Sequence, residues 1–273
     1  MIILENDRLL VSVNPFGSEL TRLFDKKDSK EVLYDGKGEW DHSDHVLFPI
    51  IGDNRSFTIA GHSCFIPTTH GFARTSSFEV ASQGKDAVTL TLTHNADEAY
   101  PLDCQIVVKT YLEGNKLIRE SRISSLSGVE ISYQYGLHPA FRASFGLSSL
   151  NVSEGTELLE LEKGIIKRKY PFPHCSSWLI DRHYIEERDT LVLSNPNGRI
   201  SLDNGQGKKI TLLSNCPYFA VWSPGKSCKN DFICLESWYG LSPYIGMKAE
   251  LGERESAQKT KLTATYRDEL VID

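Results

Sequence analysis

Apolar and polar residues alternate with a period of two wherever the chain is regular. AVTLTLT puts Val88, Leu90 and Leu92 on one face, and Ile106, Val108 and Thr110 repeat the pattern before a Glu113-Gly114-Asn115 turn. KLIRESRIS then returns from that turn, which predicts a β-hairpin. Further short runs of the same kind are LLVSV (9–13), VEISYQY (129–135), GRISL (198–202), KITLL (209–213), DFICLES (231–237) and KLTATY (261–266). Gly, Asn, Asp or Pro separates them, as strand ends require. No stretch of ten or more residues carries a 3.6-residue apolar stripe, and no repeat of 20 to 50 residues marks a propeller or solenoid. The prediction is an all-β fold, a large antiparallel β-sandwich, because one sheet of so many strands would curl or split. The polar segments around 25–45 and 151–190 read as long connections, so residues 1–273 are expected to form a single domain.

Composition narrows the partners. With 40% hydrophobic and 24% charged residues the chain has the make-up of a globular protein. The formal net charge is −6, and the basic residues are scattered apart from short clusters such as Lys167-Arg168-Lys169, too small to track a phosphate backbone. Nucleic acid is therefore not an expected partner. No apolar run approaches the ~20 residues of a membrane span. The opening MIILENDRLL has Glu5 and Asp7 where a secretion signal needs basic and then apolar residues, so a cytoplasmic location is expected. Six cysteines (Cys64, Cys104, Cys175, Cys216, Cys228, Cys234) include no C-x-x-C pair, which argues for reduced, buried thiols and against a zinc cage. Nothing local marks one of them as a nucleophile.

Three segments carry candidate chemistry. In PTTHGFART (67–75), Gly71 lets the backbone turn tightly beside His70, and Arg74 follows four residues later. Imidazole and guanidinium can both bind hydroxyls, although a histidine next to glycine also fits an ordinary loop residue with satisfied hydrogen bonds. In YQYGLHPAFR (133–142), Pro139 holds His138 in extended backbone, which suits a positioned acid or a capped strand end. In DFICLES, alternation places Phe232, Cys234 and Glu236 on one face and Ile233 and Leu235 on the other. A carboxylate among apolar neighbours needs a cationic partner or a task, because burial without one raises its pKa towards the range of a general base. Trp238 and Tyr239 add aromatic surface of the kind that stacks on the C–H face of a sugar ring.

Together these segments resemble the aldose 1-epimerase (galactose mutarotase-like) family, in the bacterial branch with HGFAR and C-[IL]-E-x-W-Y-G motifs. The resemblance runs through LLVSVNPFGSELTRLFDKKDSKEVLYDG, LFPIIG (47–52), THGFAR (69–74), GLHPAFR (136–142), VWSPG (221–225) and CLESWYG (234–240). It implies a galactose mutarotase-like supersandwich, no metal or organic cofactor, and a cleft open to a free monosaccharide. It also implies catalytic roles for Glu236 as base, His138 as general acid and His70 as the second histidine, with Arg74, Asp189, Trp238 and Arg55 binding substrate. Two positions depart from the branch. Gly52 is followed by Asp53 and Asn54 before Arg55, where relatives carry an arginine sooner, and Ser237 replaces the usual proline, removing a fixed φ behind Glu236.

The expected activity is interconversion of the α and β anomers of a free hexose. A hexose-phosphate 1-epimerase is the alternative within the fold; it needs cations for the phosphate, which only a loop residue such as Arg182 or Arg188 could add. A silent carbohydrate-binding or regulatory protein is the alternative outside enzymology. Oligomeric state is not legible in the chain.

Overall fold

A computed structural model describes residues 1–38, 40–174, 176–188, 190–224 and 231–273. Two large antiparallel sheets dominate it. The nine-stranded sheet runs in the order Ser176–Leu179, Ser149–Val152, Arg199–Asp203, Lys209–Ser214, Thr263–Ile272, Lys116–Ser125, Cys104–Glu113, Ala87–His94, Glu79–Gln83. The eight-stranded sheet runs Ile165–Pro171, Glu157–Glu162, Thr190–Ser194, Tyr218–Trp222, Phe232–Tyr239, Tyr135–Leu137, Val46–Leu47, with Ala140–Arg142 also pairing to Phe232–Tyr239. The expected hairpin is present, with Glu113 opposite Lys116 and Ile106 opposite Ile123.

The core lies between these sheets. Leu117, Leu212 and Leu270 from one meet Leu137, Val221 and Leu235 from the other in a single cluster. Burying each such side chain stabilises the fold by roughly 1.5 to 3 kcal/mol. The all-β sandwich expected from the alternation is the fold observed. One α-helix, Arg182–Arg188, occurs among the described residues, and no helix there is long and apolar enough to cross a membrane.

The segment 151–190 departs from its reading as a connection. It holds the hairpin Glu157–Glu162 and Ile165–Pro171 at the edge of the eight-stranded sheet, the edge strand Ser176–Leu179 and the helix. The polarity that hid it is itself structural. Lys167, Arg168 and Lys169 pair across the hairpin with Glu162, Glu160 and Glu157. An exposed edge strand carries charge where an inner strand carries apolar residues, which blunts pairing with other chains.

The strand Phe232–Tyr239 is buried along its whole length. It sits inside the sheet, between Tyr218–Trp222 on one side and the segments 135–137 and 140–142 on the other. Ile233, Leu235 and Tyr239 face the inter-sheet core. Phe232, Cys234, Glu236 and Trp238 therefore face the opposite way, where loops cover them. Cys64, Cys104, Cys216 and Cys234 are buried free thiols, as expected; Cys175 and Cys228 lie outside the described residues.

Candidate active site

The covered face of that strand forms the floor of a cleft of about 410 Å³, within the range of small-molecule sites. Glu236 and Trp238 come from the strand itself, His138 from the next segment of the sheet, and Trp222 from the neighbouring strand. The loop segments 40–45, 52–53 and 69–74 close the sides with Trp40, His45, Asp53, His70 and Arg74.

Glu236 is 1% exposed. Its Oε2 accepts a 2.7 Å bond from the Trp238 indole N–H, and its Oε1 lies 3.3 Å from His138 Nε2 without hydrogen-bond geometry to any group. Burial pushes the carboxyl up to about 8; Trp238 opposes that rise and the negative charge of Asp44 adds to it. Burial also drives the His138 imidazole down to about 3, with Arg74 and His42 adding repulsion. At neutral pH the pair thus holds one proton between two groups and carries no net charge. Glu236 has no arginine or lysine partner among the described residues, so the structural ion pair that its sequence left open is not formed.

His70 is fixed by its backbone. It has φ 66°, in the left-handed region, and Gly71 follows at φ 84°. A Cβ on Gly71 would lie 2.0 Å from the Phe48 carbonyl oxygen, so only glycine fits. The Gly52 N–H donates to His70 Nδ1 at 3.1 Å. That bond leaves the proton on Nε2, which makes neutral His70 a hydrogen-bond donor at its other nitrogen. Burial, His138 and Arg74 together hold its pKa well below the ordinary value.

Arg74 supplies the guanidinium expected of it, but its Nη2 is 2.8 Å from His45 Nε2. A guanidinium only donates, so His45 accepts there and is neutral, in keeping with the burial that lowers its pKa. The segment carrying His45 is anchored from below. The neighbouring Asp44 carboxylate takes a 2.6 Å bond from buried Arg119 and a second from the Leu20 N–H, while the His138 N–H bonds the His45 carbonyl at 3.0 Å.

Six of the seven residues expected at the site can be located. Glu236, His138, His70, Arg74 and Trp238 converge on the cleft. Arg55 does not: it pairs with Asp53 at 2.5 Å and reaches the Pro67 carbonyl outside. The reason is local, since buried Asn54 bonds the Ile51 and Leu241 carbonyls and the chain on either side of it presents Asp53, not Arg55, to the cleft. Asp189 lies outside the described residues. Arg182 pairs with Asp231, and Arg188 packs on Tyr184 beside Glu187; neither lines the cleft. Ser237 faces the inter-sheet core beside Leu117, Leu212 and Leu270, in ladder register with Phe219 and Leu137. Pairing on both sides, instead of a proline φ, steadies the backbone under Glu236.

Trp40, His45, Trp222, Thr190 and Ser242 were not singled out by sequence reasoning. The dense run WDHSDH at 40–45 was the available signal, obscured by its position in a segment read as a connection. Trp40 lies 5.6 Å from Trp222 and 5.3 Å from His138 between ring centroids, giving the cleft an aromatic wall.

The aldose 1-epimerase family model matches residues 1–254. The chain belongs to the aldose 1-epimerase family. Solved structures agree on the fold. A galactose mutarotase related enzyme from Lactobacillus acidophilus superposes with a TM-score of 0.91 at 20% identity, over 99% of this chain and 96% of that one. A galactose mutarotase-like protein from Lactobacillus casei gives 0.90 at 20% identity over the full length of both. Galactose 1-epimerase from Lactobacillus acidophilus gives 0.77 at 15% identity, over 99% of this chain and 93% of that one. Among curated proteins no sequence match is found. The stretch matched to the aldose 1-epimerase family holds every described residue that lines the cleft.

Proposed function

We propose that this protein is a mutarotase acting on an unphosphorylated aldose, with residues 1–273 as one domain. The observation that carries the proposal is the buried one-proton pair at the cleft floor, Glu236 Oε1 at 3.3 Å from His138 Nε2. In the reactive tautomer His138 is protonated and Glu236 is ionised. Glu236 removes the proton of the anomeric hydroxyl while His138 protonates the ring oxygen, and the hemiacetal opens to the aldehyde. The pair then stands as its other tautomer, with the proton on Glu236. Rotation about the first carbon–carbon bond and reclosure give the other anomer and restore the starting tautomer. The number of protons on the pair is the same throughout, so no external acid or base is consumed. His70 Nε2–H and the Arg74 guanidinium supply donors for sugar oxygens, and Trp40, Trp222 and Trp238 supply apolar walls for the ring.

A phosphorylated substrate is disfavoured by charge. Among the described cleft-lining residues the one fixed cation is Arg74, which already bonds His45, while the Asp53 carboxylate at the rim is paired with Arg55 outside the cleft. Polarimetry on freshly dissolved α-glucose and α-galactose, with α-glucose 6-phosphate alongside, tests the proposal. Acceleration of the free sugars is expected. Faster turnover of the phosphate would move the substrate class, and hexose binding without any acceleration would leave a carbohydrate-binding protein.

A further inference from the structure

Cys234 has no part in the proton transfers, yet its position next to them has a chemical consequence. Residues two apart on a strand share a face, so the Cys234 thiol and the Glu236 carboxylate project side by side, and His138 reaches the same point from the neighbouring segment. One donor atom from each of the three, all buried, lies within 4.8 Å of the other two. We propose that Cys234, Glu236 and His138 form an inhibitory site for a thiophilic divalent cation of the Zn²⁺ class.

The geometry fits such an ion closely. Tetrahedral bonds of ~2.0–2.1 Å to nitrogen and oxygen and ~2.3 Å to sulfur separate the ligand atoms by about 3.3 to 3.6 Å. Glu236 Oε1 and His138 Nε2 already stand 3.3 Å apart. The Cys234 group lies within 4.8 Å of the other two donors, so an ion drawing all three to bonding distance needs an approach of about an ångström at most. Oε1 has no hydrogen-bond partner to surrender, while Oε2 keeps its bond from Trp238, so the carboxylate is already turned with a free oxygen towards the site. Glu236 and His138 both line the cleft, which gives the ion a path in from that side. The donor set of imidazole, thiolate and carboxylate selects Zn²⁺, Co²⁺ or Cd²⁺ over Mg²⁺ and Ca²⁺, which prefer all-oxygen shells. On binding, the thiol proton and the proton shared by Glu236 and His138 pass to solvent, and the ion takes their place. Both proton-transfer groups are then coordinated, so turnover stops. Sequence spacing hides the site, because C-x-E on a strand plus a histidine some 96 residues away (138 to 234) matches no C-x-x-C pattern.

Cobalt titration of the full-length protein reads the site without reference to sugar turnover. One equivalent of Co²⁺ is expected to produce a near-ultraviolet thiolate-to-cobalt absorption, bleached by Zn²⁺. Cys234→Ser and Cys234→Ala should each abolish the band, while Cys64→Ser leaves it. In the polarimetric assay, micromolar Zn²⁺ should inhibit reversibly to chelator, and Cys234→Ser should raise the half-inhibitory Zn²⁺ concentration by about tenfold or more, the loss that follows even from removing a group behind the ligands. A wild-type protein without the thiolate band overturns the inference, and so does Zn²⁺ inhibition of equal potency in Cys234→Ser, which would move the ion to the adjacent pair His42 and His45, whose rings lie 4.2 Å apart. Because the cobalt band appears whether or not sugars are turned over, its absence and the absence of mutarotase activity are separate results.

Discussion

Asp25 and Glu236 are both carboxylates shut away from water, 0% and 1% exposed, and they end in opposite states. Burial pushes Asp25 up, but Arg8 grips both its oxygens at 2.7 and 3.1 Å, Lys208 bonds it as well, and the Lys27 N–H adds a third donor. Those partners win, and the Asp25 pKa falls to about 2. Glu236 has one indole N–H and a neutral imidazole, so burial wins and its pKa rises to about 8. The difference separates a carboxylate used to lock the fold from one left able to exchange a proton near neutral pH.

The largest effect should come from Glu236→Gln, which keeps the shape and removes the proposed base. Catalysed mutarotation, measured by polarimetry above the spontaneous rate, is expected to fall about 10³-fold. The same change should stabilise the protein. A carboxyl whose folded pKa is raised from 4.5 to about 8 contributes its full stability below 4.5 and loses it as pH climbs towards 8. Glutamine has no such loss, so at pH 7 the variant should gain about 3 kcal/mol and melt roughly 9 °C higher, with the gain vanishing near pH 4. Retained turnover together with a lower melting point would put Glu236 in the same class as Asp25.

Asp25→Asn should do the reverse. Removing the acid leaves the buried Lys208 ammonium with the Asp28 carboxylate and leaves Arg8 with the Ile272 carbonyl in place of a carboxylate. A destabilisation of about 3 kcal/mol is expected in urea unfolding at pH 7, with turnover unchanged at low temperature. The Asp25 contribution is present above the ordinary value of 3.8 and is lost as pH falls through about 2, so the two proteins should converge in strong acid. A loss of turnover at full stability would break the contrast between the two acids.

The pH profile of kcat/KM sharpens the comparison further. In the proposed mechanism the pair works only while it holds one proton. Activity should fall above about 8, where the last proton leaves and no acid remains. On the acid side the pair takes a second proton and loses its base, at a pH below the ordinary histidine range because burial depresses His138. An acid limb at the ordinary histidine value would mean that His138 titrates as if solvated.

The sequence exposed the two acids unequally. Glu236 was visible because strict alternation in DFICLES put it on a face with Phe232 and Cys234, a conflict between charge and surroundings that a strand pattern makes plain. Asp25 had no such signal, since its partners come from Arg8 and Lys208, 17 and 183 residues away. The same limit applies at the cleft. His70 and His138 were marked by the adjacent Gly71 and Pro139, local constraints that a sequence carries openly. His45, Trp40 and Trp222 are brought in by pairing of distant segments, such as the His138 N–H on the His45 carbonyl. The inner strands were legible from period-two alternation, whereas the hairpin at 157–171 was not, because its outer strand is exposed and its residues answer to cross-strand charge instead of a core.

The smallest predicted effect tests the one side-chain hydrogen bond that Glu236 makes among the described residues. Trp238→Phe keeps an aromatic wall in the cleft and removes the 2.7 Å indole N–H donor to Oε2. That bond favours the ionised carboxylate and so opposes the burial that raises its pKa. Without it the carboxyl should be harder to ionise. The alkaline limb of the profile should move upward, and the tautomer with a free base and protonated His138 should become rarer. A charge-assisted hydrogen bond of this kind contributes about 1.5 kcal/mol, so turnover at neutral pH should fall about tenfold, in kcat more than in KM, because the aromatic wall proposed to meet the sugar is retained. Trp238→Phe with an unmoved alkaline limb would show that the pair titrates independently of the one side-chain donor to Glu236 among the described residues. In that case burial alone, and not the balance of burial against partners seen at Asp25, would set the proton affinity of the site.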